Sequence, residues 1–380
     1  MTGQEKKSRN TIHLPDDLLV EILSRVQDAS LARFRSTSKG WNSLIKKEVR
    51  RAKKSLVVML IDCRVYSVRF DLHDNVAKVR SQLSLNDPLS NSSEEVDVRR
   101  VSHCDGLLLC TTMDERLVVW NPCSGETSRI IKPINSHYYT DTYALGKSTR
   151  NNEYKILRVH HRGHGFGWQC LVNYEIYDFT SNLWRVVGET REWSLPGAWQ
   201  YGTSVDGNTY WLSYDINQAC PRNVNTLGCF DFTTERFRCV PLPVDPLSYY
   251  VYALSVTREE QKLCLLAYRD ERHNIDIWMA TKIKSTGDMS WSKFLSVKRT
   301  HSLCNGMSFL ADRENKVLVC PTKYKNASNC LHIVGTDKYI QVDHHDVGSE
   351  SSLPYRYDDP TLVQIQRGSL GVGTWKAPMT

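Results

Sequence analysis

The chain has 380 residues, 41% of them hydrophobic and 24% charged, with a net charge of +7. That balance belongs to an ordinary folded chain of two or three domains and excludes a disordered or fibrous protein. The charge is modest for the length, and much of it sits in one run, Lys46 to Lys54.

At the N-terminus, MTGQEKKSRN is polar where a secretory signal carries an apolar core, so residues 1–11 read as a disordered lead. The longest aliphatic run, Leu56 to Ile61, is far below bilayer-spanning length, and no membrane partner is expected. Twelve cysteines lie between Cys63 and Cys330 without a Cys-x-x-Cys pair. Several, such as Cys110 and Cys320, sit in strand-like apolar runs and read as small hydrophobes in a reducing compartment.

Three short helices come first. Leu18, Leu19, Ile22, Leu23 and Val26 form one broad apolar stripe at helical spacing, begun by Pro15 and two aspartates, which suit a helix N-terminus. Asp28 reads as the N-cap of a second helix carrying Leu31 and Phe34, and Ser38 as that of a third carrying Trp41, Leu44 and Ile45. The basic run that follows reads as a solvated helical end; no aromatic is interleaved for base stacking, so a nucleic-acid partner is not expected.

Beyond residue 55 the chain alternates strand-like runs with turn clusters. Val119 to Glu126 (VWNPCSGE), Ile176 to Trp184 (IYDFTSNLW) and Cys229 to Phe237 (CFDFTTERF) share one template: apolar, aromatic, Asn or Asp, and a small hydroxyl or thiol residue two positions on. Such a pattern is a strand running into a tight turn, because Asn, Asp, Ser and Thr bond their own backbone where a chain reverses. Looser copies place Phe70, Trp278 and Val334 in the aromatic slot, with Trp291 closing the fifth copy after a longer turn. The slots at 70, 120, 177, 230, 278 and 334 recur at a period of about fifty residues, the length of a four-stranded kelch-like propeller blade. Gly106, Gly207 and Gly306 each read as the turn before a leading strand. The fold expected is mainly β with a small N-terminal α module: a β-propeller of about six blades, or a related β-rich domain such as a sandwich.

Chemistry is sparse. His160, His161 and His164 fall near helical zinc spacing, but Gly163, Gly165 and Gly167 argue for a strand connection, and His344 with His345 does no better, so no metal is expected. The same GHGFG is followed by a strand, not by the helix N-terminus that a phosphate cradle needs. Ser204 to Trp211 (SVDGNTYW) approaches the sialidase turn but is one residue short and occurs once. No nucleophile and acid pair assembles, so no catalytic residue and no cofactor are expected.

A stripe of five exposed aliphatics forgoes roughly 1.5–3 kcal/mol per side chain, so something must cover it. Its residues resemble a known family. Leu14, Pro15, Leu18, Ile22, Leu23, Leu31, Arg35, Ser38, Lys39, Trp41 and Leu44 are in register with an F-box, with departures at Gln27, where proline is common, and Thr37, where an aliphatic is usual. The remainder, in SHCDGLLLC, LVVWNPCSGE, YGTSVDGNTYWLSY and the late Asp358 to Ile365, is similar to the plant F-box-associated domain.

The resemblance implies an F-box over 12–54, a substrate-recognition domain over 55–370 and a tail over 371–380. It also implies a Skp-type adaptor bound by an apolar face of Leu14, Pro15, Leu18, Ile22, Leu23, Leu31 and Trp41, with cullin and RING subunits beyond it and an unidentified protein substrate. Such a receptor is a non-catalytic subunit of an SCF-type ubiquitin ligase in a plant cell, acting in cytoplasm and/or nucleus. The alternative is a propeller scaffold whose F-box-like helices engage no ligase. Candidate substrate contacts are Tyr138, Tyr139, Trp193, Trp199, Tyr249, Tyr250 and the segment Arg269 to Asn274, each of which reads equally well as blade packing.

Overall fold

The computed structural model describes residues 14–24, 28–45, 56–71, 76–85, 95–122, 125–128, 130–132, 141–162, 171–195, 202–215, 224–245, 248–257, 262–269, 273–283, 289–298, 308–322, 330–343 and 361–365. The chain divides into two compact units, one helical and ending at Ser55, the other running from Leu56 to Ile365. The helical unit holds α1 (Asp16–Ser24), α2 (Asp28–Thr37) and α3 (Lys39–Leu44).

The second unit is a propeller of six antiparallel sheets. Blade 1 joins β1 (Leu56–Ile61), β2 (Arg64–Asp71) and β3 (Val76–Leu83) to β24 (Thr361–Ile365), which comes from the far end of the chain and pairs with β1. Blade 2 holds β4 (Val98–Cys104), β5 (Leu107–Thr112) and β6 (Leu117–Trp120), and bridges from Leu117 to Ile131 and from Trp120 to Thr127 carry the chain back along β6. Blade 3 holds β7 (Thr142–Lys147), β8 (Tyr154–Arg162), β9 (Leu171–Asp178) and β10 (Leu183–Thr190). In blade 4 two short strands, β11 (Trp193–Ser194) and β12 (Thr203–Val205), pair with the two ends of β13 (Asn208–Asp215), followed by β14 (Thr226–Asp231) and β15 (Arg236–Pro241). Blade 5 is β16 (Tyr250–Val256), β17 (Leu263–Arg269), β18 (Asn274–Ile283) and β19 (Met289–Lys298). Blade 6 is β20 (Leu310–Asp312), β21 (Val317–Thr322), β22 (Cys330–Gly335) and β23 (Tyr339–Asp343).

The blades close a ring because each buries both faces. In β1, Val57 and Met59 pack with Val319 and Ile333 of blade 6, while Val58 and Leu60 between them pack with Leu108 and Trp120 of blade 2. A strand buried on both sides reads as an unbroken apolar run, which is what LVVMLI is. The same doubling continues around the ring. Leu109 meets Leu145 between blades 2 and 3. Val172 meets Trp211 between blades 3 and 4, Leu212 meets Leu263 between blades 4 and 5, and Leu266 meets Leu318 between blades 5 and 6. Edge strands are irregular: the first strands β4 and β16 carry one extra residue, at Arg99 and Tyr252. One extra residue interrupts the ladder of β3 at Arg80, of β10 at Val187 and of β19 at Phe294. Such bulges twist a free edge away from pairing with another chain.

All six slots of the repeat fall in the third strand of their blade: Phe70 in β2, Trp120 in β6, Tyr177 in β9, Phe230 in β14, Trp278 in β18 and Val334 in β22. The turn after them is built as the residue types require. Asp178 Oδ1 accepts from Thr180 N at 2.8 Å, and Asp231 Oδ1 from Thr233 N at 2.8 Å. The backbone then closes from Asn182 N to Asp178 O and from Gly125 N to Asn121 O at 2.8 Å, and from Glu235 N to Asp231 O at 2.7 Å. The closing residues are left-handed, with φ of 79° at Gly125, 55° at Asn182 and 57° at Glu235. The template's two aromatics face each other across the hairpin, Tyr177 on Trp184 at 5.4 Å and Phe230 on Phe237 at 4.8 Å between centroids.

Two details of the repeat differ from expectation. Trp291 lies opposite Ala280, and the residue opposite Trp278 is Lys293, because β18 and β19 stay paired beyond this point as far as Ile283 and Met289 before the chain reverses. Gly106 and Gly207 do supply two-residue Asp-Gly turns between first and second strands, with φ of 51° at Asp105 and 87° at Gly106, and of 51° at Asp206 and 79° at Gly207. Gly306 lies outside the described residues, and the corresponding turn of blade 6 falls between β20 and β21, where Lys316 takes the left-handed conformation.

Gly125 and Gly207 share a φ of 79° but not their surroundings. A Cβ at Gly125 meets nothing within 4 Å among the described residues, whereas one at Gly207 comes within 2.6 Å of the Lys147 carbonyl oxygen in the neighbouring blade. Gly125→Ala is therefore expected to cost about 1–2 kcal/mol from left-handed strain alone. Gly207→Ala is expected to cost a further ~1–3 kcal/mol for the clash. Urea unfolding of the two variants checks this, and equal losses would refute the account.

Candidate functional site

The helical unit carries two apolar surfaces where the sequence reads one. Helix α1 starts where Leu19 N reaches back to the Pro15 carbonyl at 3.0 Å. Leu14, Leu18 and Ile22 follow at intervals of four and remain 44%, 46% and 52% exposed, with Pro15 exposed beside them. Leu23 lies about 100° further round the helix than Ile22 and faces inward, 3% exposed, against Leu31 at 4% and Ile45 at 2%. Val20, Trp41 and Leu44 pack on that trio. The expected docking face is thus divided: Leu14, Pro15, Leu18 and Ile22 form an open stripe, whereas Leu23 and Leu31 are committed to the unit's own core. Trp41 is half-buried, packed on the core and 5.5 Å from the ring of Phe34, itself 37% exposed.

The third helix holds this arrangement in place. Ser38 is extended, with φ −157° and ψ 158°, and its Oγ accepts from Trp41 N at 3.1 Å, the N-cap expected from its type. Arg35 Nε donates to Asn42 Oδ1 at 3.1 Å and ties α2 to α3. Asp28 is the first residue of α2 itself, while Val26 and the basic run Lys46 to Lys54 lie outside the described residues. Phe34 is the exposed aromatic that the stripe leaves out; its place one turn before the Ser38 cap is the available signal.

In the propeller the most buried carboxylates are already engaged. Arg158, 1% exposed, donates through Nη2 to Asp141 Oδ2 at 2.7 Å and through Nη1 to Glu175 Oε2 at 3.1 Å. Asp276 accepts from Lys293 Nζ at 2.9 Å and from Ser296 Oγ at 2.6 Å. Carboxylates held by cations in this way are structural pairs, not a free acid and base. His160 and His161 are adjacent on β8, and His164 and His344 with His345 lie outside the described residues. Among the described residues no group of three or more His, Cys, Asp or Glu is placed to hold a metal. Burial pushes the Cys110 thiol up to about 12, the behaviour of a small core hydrophobe. Of the candidate contact residues, Trp193 is buried, Tyr249 half-buried and Tyr250 50% exposed, while Tyr138, Tyr139 and Trp199 lie outside the described residues.

A three-helix module with an open leucine and isoleucine stripe, joined to a six-bladed propeller, defines a two-part architecture. Residues 12–53 match the F-box domain and residues 56–365 the F-box associated beta propeller domain, and the chain belongs to the family that combines them. It is 49% identical over 377 residues to "Putative F-box protein At4g10190" of Arabidopsis thaliana, covering 94% of this chain and 99% of that protein. It is 48% identical to "Putative F-box protein At3g21130" and 46% identical to "Putative F-box protein At3g21120" of the same plant, covering 95% and 94% of this chain and 99% and 100% of those proteins. The F-box implies a Skp-type adaptor as partner, and neither matched family is a catalytic domain.

The division of the apolar residues has a direct test. Leu23→Asp is expected to place a charge in the small core and open the helices, while Ile22→Asp, one residue away, leaves them closed. Hydrogen exchange over residues 16–45 should rise to unprotected rates in the first variant and stay near wild type in the second; equal protection would overturn the assignment of faces.

Proposed function

We propose that this chain is the substrate-recognition subunit of an SCF-type ubiquitin ligase, without catalytic residues of its own. The observation that carries the reading is the exposed stripe Leu14, Leu18 and Ile22 beside a core that Leu23, Leu31 and Ile45 already complete. Aliphatics that the unit does not need for folding are available to a partner groove, where each, already about half covered, gains roughly 0.7–1.5 kcal/mol on burial. The partner is a Skp-type adaptor, with cullin and RING subunits attached through it. The propeller holds a protein substrate, and ubiquitin transfer follows from proximity: a tethered substrate lysine sees a raised effective concentration of charged conjugating enzyme. The chain acts in cytoplasm and/or nucleus.

Co-purification of the full chain with a plant Skp-type adaptor tests the reading. Wild type is expected to bind one adaptor per chain, and Leu18→Asp with Ile22→Asp to lose binding by at least about a hundredfold, with the propeller's melting unchanged. Binding that survives the double variant, or absence of binding by wild type, would defeat it.

A further inference from the structure

The seam between blades 4 and 5 is built differently from the other five. Among the described residues its buried core is edged by seven half-buried hydrophobic side chains, four of them the aromatics Tyr214, Tyr249, Trp278 and Trp291. The other seams have between one and four. A wider apolar margin gives this seam more partly covered apolar side chains than any other seam has among the described residues.

Polar groups converge on the same seam. Tyr210, Cys229 and Arg238 lie opposite one another across three strands, and the first two belong to the seam's core, so Arg238 faces it, as does exposed Arg236 two residues earlier. From blade 5, Lys293 lies 5.5 Å above the Trp278 ring while pairing with Asp276. The acidic groups nearby are occupied: Asp276 accepts from Lys293, Ser296 and Tyr249, and Asp231 Oδ1 from the backbone of Thr233 and Thr234.

Three buried donors in this seam have no acceptor among the described residues: Trp278 Nε1, Trp291 Nε1 and the Nε of Arg238, whose side chain otherwise bonds Cys229. A buried N–H without a partner is costly, and three donors facing one seam point to a guest that brings acceptors.

We propose that the outer part of the blade 4–5 seam binds an extended acidic segment of a partner protein, an aromatic side chain entering beside Trp278 and Trp291 and carboxylates meeting Arg236 and Arg238. The inference rests on the propeller being the substrate-holding part of the chain. It assigns the chemistry of that substrate: acidic, with an apolar anchor, recognised by indole and guanidinium donors.

The test uses the full chain and three fluorescein-labelled peptides, Gly-Asp-Glu-Phe-Asp-Glu-Gly, the same with Gly for Phe, and the same with Lys for every acid. The first is expected to bind saturably in an anisotropy titration, and the two controls about tenfold or more weaker. Arg236→Glu, at an exposed position, is expected to weaken the first peptide about tenfold without changing the melting curve. Trp291→Phe, which keeps a ring but removes the N–H, is expected to weaken it about fivefold. No saturable binding below about 1 mM, equal binding of all three peptides, or indifference to Arg236→Glu would overturn the proposal. Adaptor capture by the same preparation separates the two readings: capture without peptide binding removes only the seam, and peptide binding without capture removes only the ligase reading.

Discussion

The propeller depends on a covering constraint. Each blade is a sheet with two apolar faces, and a sheet of that kind is stable only when both are covered. Alternation of apolar and polar side chains is absent from β1 for this reason: Val57 to Ile61 are buried throughout, odd positions against blade 6 and even ones against blade 2. Six sheets arranged in a row would leave two faces open, whereas in a ring none is. The pairing of β24 with β1 is therefore the contact that completes the arrangement, since it gives blade 1 its fourth strand from the opposite end of the chain.

The helical unit satisfies the same demand on a smaller scale and only in part. Leu23, Leu31 and Ile45 cover one another, and Ser38 fixes the turn that brings Trp41 and Leu44 onto them. What remains, Leu14, Leu18 and Ile22, stays exposed. A small module can fold with such a remainder because its core is complete without it, and a partner that covers the remainder gains the burial energy of the half still exposed.

Much of this is legible in the residues because the turn chemistry is local. Asn121, Asp178 and Asp231 signal a reversal through their own side chains, and the aromatic before each sits in a third strand, so the period of about fifty residues is in phase with the blades. Legibility fails where the cause is not local. Spacing pairs Trp291 with Trp278 as the two ends of one template, but β18 and β19 stay paired as far as Ile283 and Met289, a hairpin length that spacing does not show, and Lys293 lies opposite Trp278. Leu23 groups with Ile22 in the sequence because a broad stripe cannot show which of two neighbouring side chains finds a partner in α2; that depends on the packing of Leu31 and Ile45. The blade 4–5 seam is likewise beyond reach of the sequence, because its unpaired donors come from β15, β18 and β19, which the chain brings together only through the fold.

The order of synthesis gives the ring closure a further meaning. Strand β1 begins at Leu56 and its partner β24 at Thr361, so 305 residues separate the two sides of the last pairing. At about 5–20 residues per second the ribosome needs roughly 15–60 s to make that interval. Throughout it the first blade has an open inner edge, LVVMLI, of the kind that other chains can join. The helical unit, its core complete by Ile45, emerges long before. A newborn chain thus presents its exposed stripe of Leu14, Leu18 and Ile22 well ahead of a closed propeller, so for that interval its two units stand at opposite stages of completion.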